Sequence, residues 1–272
     1  MLDKSLNREN VISMRHNIHP TAFVSPGANI HPSVEIAPFA FIGDNVSIDE
    51  GTTIGPHAVI EGRTTIGKRN QIFAGAVVGS VPQDLKYKGE ESYLVIGNDN
   101  LIREYMTINL GTKGGGGQTI IGNNNLMMSY VHIAHDVCIG NNNVIANATG
   151  IGGHVIIGDW VTIGASTGVH QFNQLGNFSM IGAHSKITKD VPPYALVDGN
   201  PAKLRGVNFV RLRRNSFTPE ERRVIQLAFK ILYDAGLSLS EAIETMEREL
   251  PASIHVENIQ DFLRRSDRGI YR

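Results

Sequence analysis

The stretch SYVHIAHDV, residues 129–137, places His132, His135 and Asp136 within five positions. Three chemistries fit such a set. An imidazole beside a carboxylate can take a proton from a substrate hydroxyl, and an ordinary histidine, with a pKa of about 6.5, suits that task near neutral pH. Several histidines can instead ligate zinc, and His132, His135 and the later His154 would supply three. Pairing at i and i+3, however, brings ligands together on a helix and does not transfer to an extended strand. Corner histidines can also merely cap a solvated edge, the reading that suits His19, His31 and His57. Nucleophilic catalysis is poorly supported, because Cys138, the single cysteine, precedes an aliphatic position and has no base aligned with it.

The scaffold decides among these. Stepping by six from Ile18 meets Val24, Ile30, Ile36 and so on to Val78, an aliphatic at every step. The beat returns at Ile96, Ile102 and Ile108, and again from Ile121 through Met127 and Ile133 to Ile187. A period of six fits neither a helix nor an alternating strand; it fits short strands separated by corners, three to a coil of eighteen residues. Small residues two places before the aliphatics (Ala22, Ala28, Ala40, Thr149, Thr167) suit a narrow prism, and Gly, Asn and Asp after them, as in IGNNN at 121–125, suit tight corners. Coils then pair in parallel, each covering the next. The fold class is mainly β, a parallel β-helix of hexapeptide repeats over residues 17–191, preceded by an aperiodic extension at 1–16. Two segments break the beat. GSVPQDLKYKGEESYLV, 79–95, is expected to replace part of a coil with a protruding loop, and NLGTKGGGGQT, 109–119, shifts the beat by one residue.

Past Ile187 the beat stops, and DVPPYALVDGNPAKLRG is expected to be a Pro and Gly connector. Residues 192–272 hold this connector and a small C-terminal α-helical domain. One helix starts at Thr218 as N-cap with Pro219 and Glu221 behind it and ends by Gly236; a second has the cap pair Ser238 and Glu241; a third spans 254–265. The apolar positions Val224, Ile225, Leu227, Ala228, Ile231 and Leu232 are expected to form core.

In stacked coils the residue eighteen positions on is the upstairs neighbour. Gly153 and His154 therefore sit above His135 and Asp136, whose side chains should point out of the prism. A base, a carboxylate that orients it and a glycine N–H that a substrate can approach make general base catalysis with an oxyanion donor the expected chemistry.

Composition narrows the partners. Lys plus Arg number 25 against 26 Asp plus Glu, so no overall field recruits nucleic acid or an anionic membrane. No apolar run reaches the ~18 residues of a membrane span, and the polar N-terminus lacks a secretory h-region. A cytoplasmic location is expected.

The segments HIAHD (132–136), QDLKYKGE (83–90), GVHQF (168–172), DVPPY (190–194) and GVN (206–208) together resemble the UDP-N-acetylglucosamine O-acyltransferases that begin lipid A synthesis. The likeness runs from about residue 17 to the C-terminus. It is more specific than the hexapeptide beat, which serine acetyltransferases, sugar N-acyltransferases and gamma-class carbonic anhydrases share. The resemblance implies a left-handed β-helix, a homotrimer with sites in clefts between prisms, and transfer of an (R)-3-hydroxyacyl group from acyl carrier protein to the glucosamine 3-hydroxyl of UDP-N-acetylglucosamine, without metal or cofactor. It implies His135 as general base, Asp136 as its orienter and the Gly153 N–H as oxyanion donor. Gln83, Asp84, Lys86, His132, His154, His170 and Gln171 would contact substrate, and Asn208 and Arg214 would hold the nucleotide. The cations Lys203, Arg205, Arg211, Arg213 and Arg214 suit a pyrophosphate or an acidic carrier. Two positions depart from the pattern. Val210 stands where relatives carry a glutamate that helps hold the nucleotide, and Ala183 occupies the acyl-length position, which is glycine where long chains are taken. The rivals are N-acylation of a 3-amino sugar nucleotide or of an acylated glucosamine, and, from another class, a zinc carbonic anhydrase or a noncatalytic scaffold.

Overall fold

Short strands wind into a three-faced prism. The computed structural model describes residues 17–234 and 236–271, so the extension at 1–16 lies outside the described residues. Within these, the first face runs from Phe23–Val24 to Lys186–Ile187, the second from Asn29–Ile30 to Gln174–Leu175, and the third from Glu35–Ile36 through Met180–Ile181. The pairing is parallel at an eighteen-residue offset, as in His132 beside Gly150 and Ile133 beside Ile151. This is the left-handed parallel β-helix expected from the sequence. The aliphatics of the beat fill its axis: Ile42, Ile60, Ile108, Ile133, Ile151 and Ile187 have no exposed surface, each contributing roughly 1.5–3 kcal/mol by burial.

Two columns refine the expectation of small inward residues and Asn-rich corners. Asn70, Asn100, Asn125 and Asn143 point inward two places before the aliphatics of the third face, and all four are buried. The amides of the first three bond along the stack, Asn100 Nδ2 to Asn70 Oδ1 and Asn125 Nδ2 to Asn100 Oδ1, both at 3.0 Å, which partners these buried groups, while Asn143 Nδ2 is buried without a hydrogen-bond partner among the described residues. At the corners, one residue per turn has a left-handed backbone, and the set includes Phe39, Tyr105, Trp160, Phe172 and Phe178 as well as Asn and Asp. Ring stacking along the corner favours these bulky choices: Tyr105 on Tyr130 at 5.5 Å and His154 on Phe172 at 4.4 Å.

Both interruptions leave the corner between the first and second faces. Tyr93 pairs with Arg63, thirty positions away rather than eighteen, so twelve residues are inserted between consecutive edges. The first loop therefore adds to a complete coil and does not replace part of one. Gln118 pairs with Tyr93, twenty-five positions away, so the second loop adds seven.

The segment expected as a connector is ordered sheet. Ala195–Asp198 continues the third face beside Met180–Ile181 in parallel, and Lys203–Val207 folds back on it antiparallel. Four helices follow: α1 (Phe209–Arg214), α2 (Pro219–Asp234), α3 (Leu239–Glu249) and α4 (Ile254–Arg265). α1 was not anticipated. The expected caps form, with Thr218 and Glu221 exchanging bonds at the start of α2 and Ser238 and Glu241 at that of α3. Ile225, Ala228 and Leu232 are buried and Val224 and Ile231 pack against them, but Leu227 is 39% exposed and lies outside the core. No helix among the described residues is long and apolar enough to cross a membrane.

Candidate active site

The corner where the loops leave is the corner that carries His135 and Asp136. Their strand, His132–Ile133, ends one residue before the turn, and Asp136 takes the left-handed position with φ 60°. The sequence placed both side chains outside the prism. They do leave it, but the second loop roofs them: the Asp136 side chain is fully covered and that of His135 is 12% exposed.

A buried carboxylate needs donors, and the roof supplies them. The Thr112 N–H donates to Asp136 Oδ1 and the Thr112 hydroxyl to Oδ2, each at 2.7 Å. His135 Nδ1 donates to Oδ2, also at 2.7 Å. Because the carboxylate only accepts, the network assigns the proton to Nδ1 and leaves Nε2 with a free lone pair. The Asp136 N–H donates in turn to Thr119 Oγ1 at 2.9 Å. A Cβ on Gly115 would fall on the Asp136 carboxyl group, so only glycine lets the loop lie so close. Thr112, Gly115 and Thr119 were not among the sequence candidates; they follow from the fold of a loop that has no periodicity.

One coil up, Gly153 lies against the imidazole: a Cβ there would stand 2.8 Å from His135 Nε2. Gly153 is buried, and among the described residues no acceptor takes its N–H. An unpartnered buried N–H is unusual, and this one belongs to the residue packed against the His135 ring. His154 sits above Asp136, edge-on to His135 with centroids 5.1 Å apart. Desolvation lowers its proton affinity; Asp136 opposes this, His135 adds to it, and Asp84 and Lys86 act with smaller, opposite effects. The first loop thus brings Asp84 and Lys86 within electrostatic range of His154, while Gln83 is exposed on the same loop. His132 donates or accepts at Thr107 Oγ1 at 2.7 Å, and burial, then His135, lowers its proton affinity.

His135, Asp136 and His154 have ligand atoms within 4.8 Å of one another. A metal there would have to break the bonds that Thr112 and His135 make to the carboxylate, so the set is better organised as a base than as a ligand cage. Cys138 is exposed with its thiol pushed up by desolvation, the reverse of an activated nucleophile.

The remaining candidates divide among the corners. Gln171 and the neighbouring His170 lie two coils above His135; His170 is exposed, and the Gln171 carbonyl accepts from Arg268 at 3.1 Å. Ala183 is exposed at the corner between the third and first faces. Asn208 and Arg214 belong to α1, which docks on the corner between the second and third faces. Asn208 is buried, its Nδ2 donating to the Phe178 carbonyl at 2.9 Å and its Oδ1 accepting from Arg211 N at 3.3 Å. It fixes the helix end, while Arg214 is exposed. A single chain therefore does not bring His135, Ala183 and Arg214 together.

Known proteins share the fold and much of the sequence. Residues 190–271 match the family model described as UDP-N-acetylglucosamine O-acyltransferase, domain 2, and residues 27–62 match the bacterial transferase hexapeptide model. An acyl-(acyl-carrier-protein)–UDP-N-acetylglucosamine O-acyltransferase of Paracidovorax citrulli is 48% identical over 260 residues, covering 94% of this chain and 99% of that one. One of Sulfurimonas denitrificans is 58% identical over 196 residues, 72% of this chain and 74% of its own. The solved structure of LpxA from Acinetobacter baumannii superposes with a TM-score of 0.92 at 43% identity, covering 94% of this chain and all of that one.

Proposed function

The chain belongs to the UDP-N-acetylglucosamine O-acyltransferase family, and from that premise we propose that the roofed His135–Asp136 pair is its general base. The enzyme transfers an acyl group from acyl carrier protein to UDP-N-acetylglucosamine, the first step of lipid A biosynthesis. In our reading the donor is an (R)-3-hydroxyacyl thioester and the acceptor is the glucosamine 3-hydroxyl.

His135 Nε2 takes the hydroxyl proton as the oxygen attacks the thioester carbonyl carbon. Asp136, held by Thr112, keeps Nδ1 protonated and steadies the imidazolium. The carbonyl oxygen gathers negative charge against the Gly153 N–H. When the C–S bond breaks, the carrier thiolate leaves and receives the proton from His135, so no acyl-enzyme forms and no metal is used. The observation that supports this reading is the close packing of Gly153 on the His135 ring.

In this reading His132, His154, His170, Gln171, Gln83, Asp84 and Lys86 are assigned to substrate contact, with Asn208 and Arg214 at the nucleotide and Ala183 at the acyl end. Their distribution over three corners supports a homotrimer in which the cleft between two prisms completes each site. The exposed Arg213 and Arg223, with the half-buried Arg222 between them, offer an acidic carrier protein a complementary surface around α1 and α2. A cytoplasmic location fits these soluble partners. The test is an acyl-transfer assay pairing carrier-protein thioesters with UDP-N-acetylglucosamine and with its 3-amino analogue. Preferred acylation of the hydroxyl sugar supports the reading; preference for the amine makes the chain an N-acyltransferase.

A further inference from the structure

Val210 is 58% exposed and offers the nucleotide no charge in place of the glutamate of relatives. The next residue turns inward. The Arg211 guanidinium lies over the Trp160 ring, 5.2 Å from its centroid, and Nη2 donates to the Asn142 carbonyl at 3.2 Å. Nε is buried with no acceptor. Burial works against its charge, and so does the neighbouring Arg214. A half-buried cation beside another cation is unfavourable unless something offsets it, and the indole face is what the fold supplies.

The contact closes a ring of interactions around the start of α1. Trp160 stacks on Phe178 at 6.0 Å. The Phe178 carbonyl holds Asn208 Nδ2, and Asn208 Oδ1 holds the Arg211 N–H. Asn142, Trp160 and Phe178 occupy successive coils of one corner, each with a left-handed backbone that turns its side chain outward. α1, only six residues long, cannot be stable alone; these contacts decide where it lies.

We propose that Arg211 is a positioning residue for the nucleotide-sugar substrate: by clamping α1 onto Trp160 and Asn142, it fixes where Arg214 is presented. This rests on the assignment of Arg214 to the nucleotide and adds to it the device that aims that side chain.

The experiment uses steady-state kinetics and intrinsic fluorescence, for which Trp160 is the only tryptophan. Arg211→Met keeps the aliphatic stem and removes the cation, Arg211→Lys keeps the charge without the planar fork, and Arg214→Ala is run beside them. The clamp predicts that Arg211→Met raises the KM for UDP-N-acetylglucosamine about tenfold, the scale of one cation–π contact with its hydrogen bond. kcat should stay within about threefold, the KM for the acyl carrier should not move, and the Trp160 emission should change. Arg211→Lys should recover part of the loss. A folded Arg211→Met enzyme with unchanged sugar KM, beside an Arg214→Ala enzyme whose KM rises, overturns the clamp alone. Unchanged KM in both overturns the nucleotide assignment of α1 as well. If Arg211→Met does not fold, Trp160→Leu removes the same stacking face and must raise the same KM, or the proposal is wrong.

Discussion

Thr112 donates to both oxygens of the Asp136 carboxylate, N–H to Oδ1 and hydroxyl to Oδ2, from a loop that joins the prism twenty-four residues earlier in the chain. The carboxylate has no exposed surface, so nothing in solvent can replace a lost donor. Thr112→Val keeps the shape and the N–H but removes the donor on the oxygen that His135 shares. Leaving that lone pair unmet costs about 1–3 kcal/mol of stability. A loosened carboxylate holds the imidazole less firmly, so kcat/KM should fall about tenfold, while Thr112→Ser restores it. A Thr112→Val enzyme with unchanged kcat/KM would separate the loop from the chemistry.

Gly153 leaves no room for a side chain against the His135 ring. Gly153→Ala must push the imidazole away from the Gly153 backbone, and a misplaced base and oxyanion donor together predict a loss of about 10² or more in kcat. The prism aliphatics are untouched, so the melting temperature should change little. Single-turnover rates and a thermal melt on the same sample check the pair.

His132 and His154 both hold protons less tightly in the fold than in the open chain, chiefly through desolvation. The sign follows from linkage. The unfolded chain protonates first as pH falls below about 6.5, while the fold keeps both rings neutral, so stability present above that pH is lost as pH drops towards the lowered native values. Imidazole NMR should show both rings titrating below the ordinary range, and His154→Gln should flatten the fall in melting temperature between pH 7 and 5, taken as approximate limits. Two rings titrating at or above the ordinary value contradict the burial that the structure gives them.

Ala183 carries a methyl where long-chain relatives are expected to carry glycine. Its removal in Ala183→Gly should shift the preferred acyl chain to greater length, read from a series of carrier-protein thioesters. An optimum that stays in place removes this residue from the acyl end.

The prism was legible because its rule is local: each inward aliphatic repeats after six residues and meets its copy after eighteen, so Gly153 above His135 follows from counting. The loops have no such rule. That Thr112 reaches Asp136, or that Gly115 must lack a side chain, depends on how a glycine-rich insertion folds back. The hairpin Ala195–Asp198 with Lys203–Val207 is hidden by DGNP, which marks its turn but reads as part of a Pro and Gly connector. α1 escapes because six residues show less than two turns of periodicity, and its arginines read as a binding cluster for a pyrophosphate or an acidic carrier, whereas Arg211 lies against Trp160. Ala183 and Arg214 are named from resemblance alone, and within one chain they lie on different corners from His135.

The rate of acyl transfer by a folded His135→Ala enzyme, measured with saturating thioester and UDP-N-acetylglucosamine, tests the assignment of the base most directly. The account predicts a fall of about 10² to 10⁴, the contribution of a positioned general base. Turnover within about threefold of the unaltered enzyme would contradict it.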